Sequence, residues 1–431
     1  VIANEGDYEG GSRGFTIFNK DGTELYESGV SMEYIAAQLG HYPEGRSDAK
    51  GVEPEGMEVG FWDDETLIFV NQERSSLVAV YRDTGGEPEY LQSMPSGVGP
   101  EGALAIPSRN LYVTANETDL SADGLAPAHV MIFERQDVDA PDYPQIMSAM
   151  NDDGTPIGWV ALSGLVADAD EAGKLYAVND SFLSIMPTIY TIDATQTPAM
   201  ITEATLVTRD GAAAEALDLE GITLDGEGGF WLASEGRTDR EIPHMLYRVD
   251  ADGAIVEEVS LPDSLLANEI RFGSEGISPL GEGDDMVLWI AIQREWGDDE
   301  AGMTKLVSYK PSTGEWGAVN YPLETPAEGA WVGLSEITIH GDYAYIVERD
   351  NQIAANAQLK KLYRVPVAEL AGAEIGGELP VVTKEEVRDF IPDLLELNGY
   401  VLDKVEGFAI DADGIGWVVT DNDGVDDSSG E

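Results

Sequence analysis

Carboxylates next to glycine, or at the end of an apolar run, are the side chains of this sequence best suited to chemistry. Seven of them hold corresponding places in a repeated pattern: Glu220, Glu235, Glu275, Glu336, Glu348, Glu406 and Asp421. Carboxylates that lie close together cannot all ionise without a counter-charge. We therefore expect a metal ion or arginines among them. The alternative is a structural network of carboxylates, arginines and backbone that holds the strands together.

Four of these carboxylates are expected to hold a divalent metal ion: Glu220, Glu275, Glu336 and Glu406. Such an ion would polarise a phosphoryl oxygen and lower the pKa of a bound water. Ligands that are all oxygen favour Ca²⁺, with Mg²⁺ as the alternative, over zinc. The sequence has no cysteine, so thiolate catalysis and cysteine-bound zinc are excluded.

Candidate catalytic groups stand beside these ligands. Glu235 or Glu348 would accept the proton of the attacking water. Arginines occur in step with the carboxylates, and guanidinium groups form bidentate pairs with carboxylate or phosphate. Arg237 and Arg349 would stabilise the charge of the transition state, and Arg294 is a third arginine in the same pattern.

A second acidic stretch, "DNDGVDD" over 421–427, places Asp421, Asp423 and Asp427 around a glycine. Alternating carboxylates on a flexible turn can surround a hard cation such as Ca²⁺. The stretch lacks the full EF-hand spacing. A solvated acidic turn is therefore the alternative to a calcium loop.

The glutamates belong to a repeat of seven units. Each unit begins on Glu-Gly, Ser-Gly or Ser-Glu, continues as an alternating strand, turns on Asp and Gly, and returns as a more apolar strand. The units begin at residues 55, 101, 163, 220, 275, 335 and 406. A spacing of roughly 45–70 residues is the span of one four-stranded propeller blade with variable loops.

The pattern predicts an all-β protein, in which 216–236 forms two antiparallel strands joined at 225–229. One helix is expected within 384–399. A β-propeller explains seven similar units better than a pair of β-sandwiches does. The units form either one large ring or two partial propellers. The glycine after each glutamate either allows close approach of the backbone or adopts a positive φ.

Charge restricts the partners. Of the 431 residues, 82 are acidic and 24 are Lys or Arg, which gives a net charge of −58. Such a surface repels nucleic acid and anionic lipid, and no apolar run is long enough to span a bilayer. We expect neither nucleic-acid binding nor membrane insertion. Solvation in high salt, as in halophilic or marine bacteria, explains most of the acid.

Residues 150–431 resemble the bacterial β-propeller family known as esterase-like activity of phytase. The matching stretches are "DLEGITLDGEGGFWLASEG", "NEIRFGSEGISPL", "SEITIHGDYAYIVERDN" and "KVEGFAIDADGIGWVVTDNDG". Residues 1–135 resemble the last blades of a choice-of-anchor I propeller, in "EPEGMEVG" and "FVNQERSSLVAVY". The resemblance implies propeller blades over 1–135 and a propeller over 159–431. The segment 136–158 is polar and contains prolines, which predicts a linker or a long connection between blades.

Two functions remain open. The resemblance implies a secreted, extracellular or periplasmic bacterial protein that uses a divalent metal and hydrolyses a small anionic phosphoester or ester. The alternative is a non-catalytic binding or assembly module, since fold alone does not establish chemistry. In that case strand addition at the two ends would join copies of the chain into a homo-oligomer or polymer.

Overall fold

The computed structural model describes residues 1–9, 11–63, 65–123, 126–139, 141, 143–183, 186–236, 241–396 and 401–425. The chain divides into two compact units. Unit 1 comprises Val1–Val160, Gln196–Ile201 and Asn422–Glu431, and unit 2 comprises Ala161–Thr195 and Thr202–Asp421. Strands dominate the described residues of both units, so the all-β prediction is confirmed.

Unit 1 contains three antiparallel sheets and one helix. Its elements are β1 (Ile2–Asn4), β2 (Gly14–Phe18), β3 (Glu24–Glu27), α1 (Ser31–Gln38), β4 (Pro54–Trp62), β5 (Glu65–Gln72), β6 (Leu77–Arg82), β7 (Glu89–Pro95), β8 (Pro100–Ile106), β9 (Leu111–Asn116), β10 (His129–Glu134) and β11 (Ile146–Ser148). The sheets are β1–β2–β3, β4–β5–β6–β7 and β8–β9–β10. Strand β11 pairs in parallel with 199–201.

The helix of unit 1 was not expected from the sequence. It buries Met32 and Ala36 in one core with Phe15 and Val70. Only this narrow face of α1 is apolar, so its short pattern is weak in the sequence and tertiary packing stabilises the helix.

Among its described residues, unit 2 contains three sheets of four strands, four strands of a five-stranded sheet, and two sheets of two strands. Its elements are β12 (Leu162–Ala167), β13 (Lys174–Asn179), β14 (Thr188–Asp193), β15 (Ala199–Leu206), β16 (Thr208–Arg209), β17 (Ala212–Ala213), β18 (Leu219–Leu224), β19 (Phe230–Ser234), β20 (Met245–Val249), β21 (Ile255–Ser260), α2 (Asp263–Leu266), β22 (Ser274–Leu280), β23 (Val287–Ile292), β24 (Met303–Lys310), β25 (Glu315–Pro322), β26 (Val332–His340), β27 (Tyr343–Asp350), β28 (Lys360–Pro366), β29 (Glu385–Asp389), α3 (Ile391–Leu394), β30 (Val405–Ile410) and β31 (Gly416–Thr420).

Five strands of unit 2 each form one edge of their sheet, and we call them the first strands: β12, β18, β22, β26 and β30. Strand β18 contacts β12 and β22, and β26 contacts β22 and β30. Strand β30 also contacts β12. The five predicted repeats that begin at 163, 220, 275, 335 and 406 start on these strands, while those at 55 and 101 start on β4 and β8 of unit 1.

Every repeat start coincides with a β-bulge. The pairing between first and second strand shifts register just after Pro54, Pro100, Leu162, Leu219, Ser274, Leu334 and Val405. A bulge inserts one residue, bends the strand and redirects a side chain. The Glu-Gly repeat of the sequence is therefore the signature of a bulge that recurs in each sheet.

The glycine of each bulge allows neighbouring first strands to approach closely. A Cβ on Gly221 would lie 2.8 Å from the carbonyl oxygen of Glu275, and one on Gly407 would lie 2.6 Å from that of Ser163. Gly164 shows the same close approach. None of these three glycines has a positive φ. Of the two roles expected for the glycine, close approach is the one observed.

The hairpin prediction for 216–236 is confirmed. Strand β18 pairs antiparallel with β19. In the turn between them, the carboxylate of Asp225 accepts hydrogen bonds from the backbone N–H groups of Glu227 (2.7 Å) and Gly229 (2.8 Å). This side-chain bonding closes the Gly-rich turn.

The helix predicted over 384–399 is corrected. Residues Glu385–Asp389 form the outer strand β29, and only Ile391–Leu394 are helical. Cross-strand charge pairs favour the strand, because Lys361 and Arg364 of β28 bind Glu386 and Glu385. Pro392 lacks the N–H group that a helix continuing through it would require. Among the described residues, no helix has the length and apolar character needed to cross a bilayer.

The close approach at the bulges makes the mutation Gly221→Ala informative. We expect a loss of about 1–3 kcal/mol in the free energy of unfolding, because the new methyl group overpacks against the Glu275 carbonyl. The control is Gly86→Ala, in a loop of unit 1 where the atom nearest to the new Cβ is Thr84 Oγ1 at 4.0 Å. Its effect should stay within about 0.5 kcal/mol. Denaturant unfolding measures both, and equal losses would contradict the packing role of Gly221.

Candidate functional site

Two sets of corresponding residues lie at the repeated bulges of unit 2. On each first strand, we call the residue directly after the last pair before the register shift the bulge position. These residues are Ser163, Glu220, Glu275, Ser335 and Glu406. In the same pair, the partner residue lies on the second strand, and we call the residue directly after it the strand-end position. These residues are Asp180, Glu235, Gln293, Arg349 and Asp421. Six of these ten residues were predicted from the sequence.

The other four were missed: Ser163, Ser335, Asp180 and Gln293. Their signal is the same offset within each repeat, but serine, aspartate and glutamine in those places did not match the glutamate pattern. Asp218 was also missed, although it stands in the stretch "DLEG" immediately before β18.

A carboxylate triad forms one side of the site. Oxygens of Asp218, Glu220 and Glu235 all lie within 4.8 Å of one another. Asp218 and Glu235 are buried, and Glu220 is partly exposed. The Ser163 hydroxyl donates a hydrogen bond to Glu220, and the Gly273 N–H donates to Glu235 at 3.2 Å. Three hard oxygen ligands at this separation suit a divalent cation such as Ca²⁺.

The charges of the triad raise the proton affinity of Glu220. Burial raises the pKa of Glu220 well above its usual value, and the charges of Asp218, Asp180 and Glu235 add to the effect. Lys404 opposes it. Without a bound cation, the carboxylates around Glu220 cannot all be ionised.

Lys404 is a cation beside the triad. Its ammonium group donates to the carboxylate of Asp421 at 2.7 Å. Burial raises the pKa of Asp180 well above its usual value, with the charge of Asp421 as the next cause and Lys404 opposing both. The strand-end carboxylates Asp180 and Asp421 therefore share one lysine.

Arg349 organises the opposite side of the site. Its guanidinium donates to Glu406 Oε1 at 2.6 Å, to Asp403 Oδ1 at 3.1 Å and to the Ser335 hydroxyl at 3.0 Å. Arg349 is only 3% exposed. Burial disfavours the charge of Glu406, but Arg349 outweighs it with help from Lys404, so the pKa of Glu406 lies below its usual value.

Glu275 lies between the two sides. It accepts a hydrogen bond from the Gln293 amide at 2.7 Å. Burial raises the pKa of Glu275 well above its usual value, the charges of Glu220, Glu235 and Glu406 raise it further, and Arg349 lowers it. Two buried oxygens nearby, Gln293 Oε1 and Glu406 Oε2, accept no hydrogen bond from the residues that the structure describes. Oxygen acceptors without donors are compatible with a cation at this place.

Two predicted residues are not brought to this cluster, and the reason is register. In the repeat that begins on Ser335, Glu336 occupies the place that glycine holds elsewhere. Its carboxylate accepts the backbone N–H groups of Leu165 (3.1 Å) and Ile337 (2.9 Å). Burial nevertheless raises the pKa of Glu336. The structure therefore shows Glu336 as a buried acceptor for the first strands, rather than beside the triad.

Glu348 precedes Arg349 on β27, and successive side chains of a strand point to opposite faces. It accepts hydrogen bonds from Tyr321 Oη (3.0 Å) and Lys384 Nζ (2.5 Å). Glu348 is thus buried between sheets and lies away from the carboxylates it was expected to assist.

The predicted calcium loop is only partly described. Asp421 belongs to unit 2 and binds Lys404. Asp423 belongs to unit 1 and lies in the short 3₁₀ turn Asp423–Val425, with φ of +50°. Asp427 lies outside the described residues, as does the predicted catalytic residue Arg237. The calcium loop and the role of Arg237 stay predictions.

The bulges of unit 1 produce a related cluster. Carboxylate oxygens of Glu55, Glu73 and Glu101 lie within 4.8 Å of one another. Glu55 and Glu101 are bulge positions by the same rule, and Glu73 is a strand-end position. Burial raises the pKa of Glu73 to about 8, and Glu55 contributes. Clustering of acid is therefore a property of the repeat.

The raised pKa of Glu275 predicts a specific pH dependence without divalent cation. Above about pH 4.5 the unfolded chain releases the Glu275 proton while the folded state retains it, so the free energy of unfolding falls as pH rises. In EDTA we expect the melting temperature to fall as the pH rises above about 4.5. Glu275→Gln should flatten this dependence and melt above the parent protein at neutral pH.

Repulsion between surface carboxylates also lowers the free energy of unfolding as the pH rises. The matched control is therefore Glu257→Gln, at an exposed position of β21. It removes the same charge and should leave the pH slope unchanged. Melting curves at constant ionic strength measure both variants. Identical slopes for Glu275→Gln and Glu257→Gln would show that burial at the site does not govern the dependence.

Similarities to solved structures are weak. Hydrazine synthase of Kuenenia stuttgartiensis has 12% identity and a TM-score of 0.30, over 85% of this chain and 96% of its own. A putative 6-phosphogluconolactonase from Bacteroides uniformis has 14% identity and a TM-score of 0.30, over 74% of this chain and 85% of its own. A protein of unknown function from Bacteroides caccae has 12% identity and a TM-score of 0.32, over 79% and 95% respectively. TM-scores this low carry no argument about this chain.

Family models are more informative, and no curated protein matches the chain. The choice-of-anchor I domain matches residues 4–85. The phytase-like model, described as esterase-like activity of phytase, matches residues 157–424. Both matches confirm the resemblance that the repeat motifs indicated. Since the second match spans well over half of the sequence, including the triad, Glu275 and Arg349, the chain belongs to the phytase-like family, described as esterase-like activity of phytase.

Proposed function

We propose that unit 2 is a divalent-cation-dependent hydrolase that acts on small anionic phosphoesters. The carrying observation is the triad of Asp218, Glu220 and Glu235, with carboxylate oxygens within 4.8 Å of one another. A site this acidic repels a phosphoester unless a cation neutralises part of its charge. A cation at the triad would thus bind the substrate as well as balance the carboxylates.

The residues fit Ca²⁺, with Mg²⁺ as the alternative. The triad offers only carboxylate oxygens, which hard cations prefer. Gln293 Oε1 and Glu406 Oε2 are further buried oxygens that accept no hydrogen bond from the described residues. When bound, the ion would supply Lewis-acid polarisation of the phosphoryl oxygen and lower the pKa of a water.

Glu275 is proposed as the general acid that donates its proton to the leaving-group oxygen of the ester, while the attacking water would lose its proton to solvent. Its raised pKa means that it holds a proton at a pH where an exposed glutamate is ionised. The Gln293 amide orients its carboxyl group at 2.7 Å. Glu275 thus has a different role from the one expected for Glu235 and Glu348, which were to accept the proton of the attacking water. Glu235 lies within the triad and is proposed as a ligand, and Glu348 lies on another face of its sheet.

Arg349 is proposed as a positioning residue. Three of its N–H groups are engaged by Glu406, Asp403 and Ser335. This network keeps Glu406 ionised and fixes the bulge of β26 against that of β30. The chain's own arginine therefore balances one side of the site, and the cation balances the other.

We infer that the five sheets of unit 2 that contain the first strands form a five-bladed β-propeller. The inference is supported by the succession of contacts between first strands, in which β30 contacts both β26 and β12. The two repeats of unit 1 would belong to a second, choice-of-anchor I type propeller. Both families suggest an extracellular bacterial protein, and we propose that location.

Substitution of a triad ligand tests the proposal. Glu220→Gln and Asp218→Asn should each weaken Ca²⁺ binding by about 10-fold or more, equivalent to about 1.4 kcal/mol, because each removes a charged ligand. Hydrolysis of p-nitrophenyl phosphate should fall in parallel. Calorimetric Ca²⁺ titration and a colorimetric assay measure the two effects, and Glu257→Gln on β21 is the charge-matched control.

Three other outcomes would count against the proposal. Unchanged Ca²⁺ affinity in both triad variants would remove the cation site. Hydrolysis of p-nitrophenyl acetate but not of p-nitrophenyl phosphate would replace the phosphoesterase by a carboxylesterase. Ca²⁺ binding without hydrolysis of either ester would favour the non-catalytic binding module, whose assembly native mass spectrometry would then examine.

A further inference from the structure

An arginine without an acidic partner lies next to the carboxylate site. Arg294 follows the strand-end residue Gln293, so it stands at the same end of unit 2 as Glu275 and Arg349. It is only partly exposed. The arginine at the corresponding end of β27, Arg349, binds Glu406 and Asp403. The guanidinium of Arg294 forms no ion pair or hydrogen bond with the residues that the structure describes, although its backbone carbonyl accepts one from Thr304 Oγ1 at 3.1 Å.

Two aromatic rings hold the guanidinium of Arg294. Its Cζ lies 4.6 Å from the ring centroid of Phe272 and 4.7 Å from that of Trp331. The stack continues on both sides: Arg349 lies 5.2 Å from the Trp331 ring, and Arg271 lies 5.2 Å from the Phe272 ring. Arg294 is thereby connected through one indole ring to the arginine that binds Glu406.

Both rings are fixed by their own backbones. The Trp331 N–H donates to the Asn351 side chain at 2.9 Å, and the Asn351 N–H donates back to the Trp331 carbonyl at 3.2 Å. The Phe272 carbonyl accepts a hydrogen bond from Trp296 Nε1 at 3.1 Å. Phe272 has a φ of +84°, which is rare for a bulky residue and occurs mostly where surrounding structure maintains it for function.

The chemistry of this arrangement favours an anion. Aromatic rings attract the faces of a guanidinium, while its N–H groups lie at the edge and point away from the rings. Those edges form bidentate hydrogen bonds with planar carboxylates and with phosphates. Burial also lowers the pKa of Arg294, with Glu295 as the opposing charge. An anion at the edge would compensate this loss of hydration.

We propose that Arg294, between Phe272 and Trp331, binds the phosphoryl or carboxylate group of the substrate next to the carboxylate site. Only the identity of the anion as a substrate group rests on the proposed function. The anion binding itself is independent of hydrolysis. The guanidinium edge of Arg294 thereby attracts an anion to a protein that otherwise repels anions, since it has 82 acidic residues against 24 Lys and Arg.

Calorimetric titration of the full chain with inorganic phosphate tests the proposal. It is performed in EDTA and repeated with Mg²⁺. We expect Arg294→Gln to weaken phosphate binding by about 10-fold or more in both conditions. Arg294→Lys should be intermediate, because it retains the charge but loses the planar fork. The control is Arg388→Gln, which removes the same charge from an exposed arginine paired with Asp393.

The melting temperature and the Ca²⁺ affinity of Arg294→Gln should match those of the parent protein, which separates ligand binding from folding and from the cation site. Phosphate binding unchanged in Arg294→Gln would overturn the proposal. So would equal weakening in Arg294→Gln and Arg388→Gln, or no phosphate binding by the parent protein up to about 10 mM.

The two proposals can fail separately. Phosphate binding that depends on Arg294, in a protein that hydrolyses no ester, would refute the hydrolase and leave the anion site. Hydrolysis of p-nitrophenyl phosphate with the same kcat and KM in Arg294→Gln as in the parent protein would support the hydrolase and refute the role of Arg294 in substrate binding.

Discussion

The close packing of first strands at the bulges is the constraint on which unit 2 depends. Three glycines after bulge positions, Gly164, Gly221 and Gly407, leave room for the backbone carbonyl of a neighbouring first strand, at a distance that a side chain would not permit. Gly221 against Glu275 and Gly407 against Ser163 are two cases. Because every bulge occurs at the same place in its strand, the residue before each glycine is redirected in the same way. The cluster of carboxylates is therefore a consequence of backbone packing.

The sheet that begins on β26 meets the same packing constraint with a glutamate in place of glycine. There Glu336 takes the place of glycine, and its carboxylate binds the backbone N–H groups of Leu165 and Ile337. A buried carboxylate with backbone donors stabilises the packed strands in a way that a free acid could not. One glutamate of the repeat thus serves the scaffold, while others on the neighbouring bulges remain able to bind a ligand.

Charge divides the site into two sides with opposite behaviour. Next to Arg349, the pKa of Glu406 is held below its usual value despite complete enclosure by protein. Next to Asp218 and Asp180, the pKa of Glu220 is raised. At the triad a bound cation would compensate the carboxylate charge, whereas Arg349 already compensates the charge of Glu406. In the proposed function this asymmetry sets the cation site, and Arg294 adds an attraction for the anion beside it.

The sequence by itself determined the all-β class, the hairpin of β18 and β19, and the repeat that marks each bulge, because period-two alternation and Gly-rich turns are local properties. It also identified Glu220, Glu275, Glu406, Glu235, Arg349 and Asp421 as corresponding residues. The sequence did not determine the register of the repeat that begins on Ser335. There the predicted Glu336 and Glu348 each lie one residue away from the corresponding residues, Ser335 and Arg349. A shift of one residue along a strand turns the side chain to the other face of the sheet.

Only the tertiary structure decided which carboxylates meet and which are already satisfied. Asp218 joins Glu220 and Glu235 because the chain enters β18 beside the end of β19, a proximity that no short spacing encodes. The strand β29 replaced the predicted helix because Lys361 and Arg364 of β28 offered it charge partners. The stack of Phe272, Arg294 and Trp331 unites three segments far apart in the sequence, since packing in three dimensions, and not local pattern, selects such neighbours.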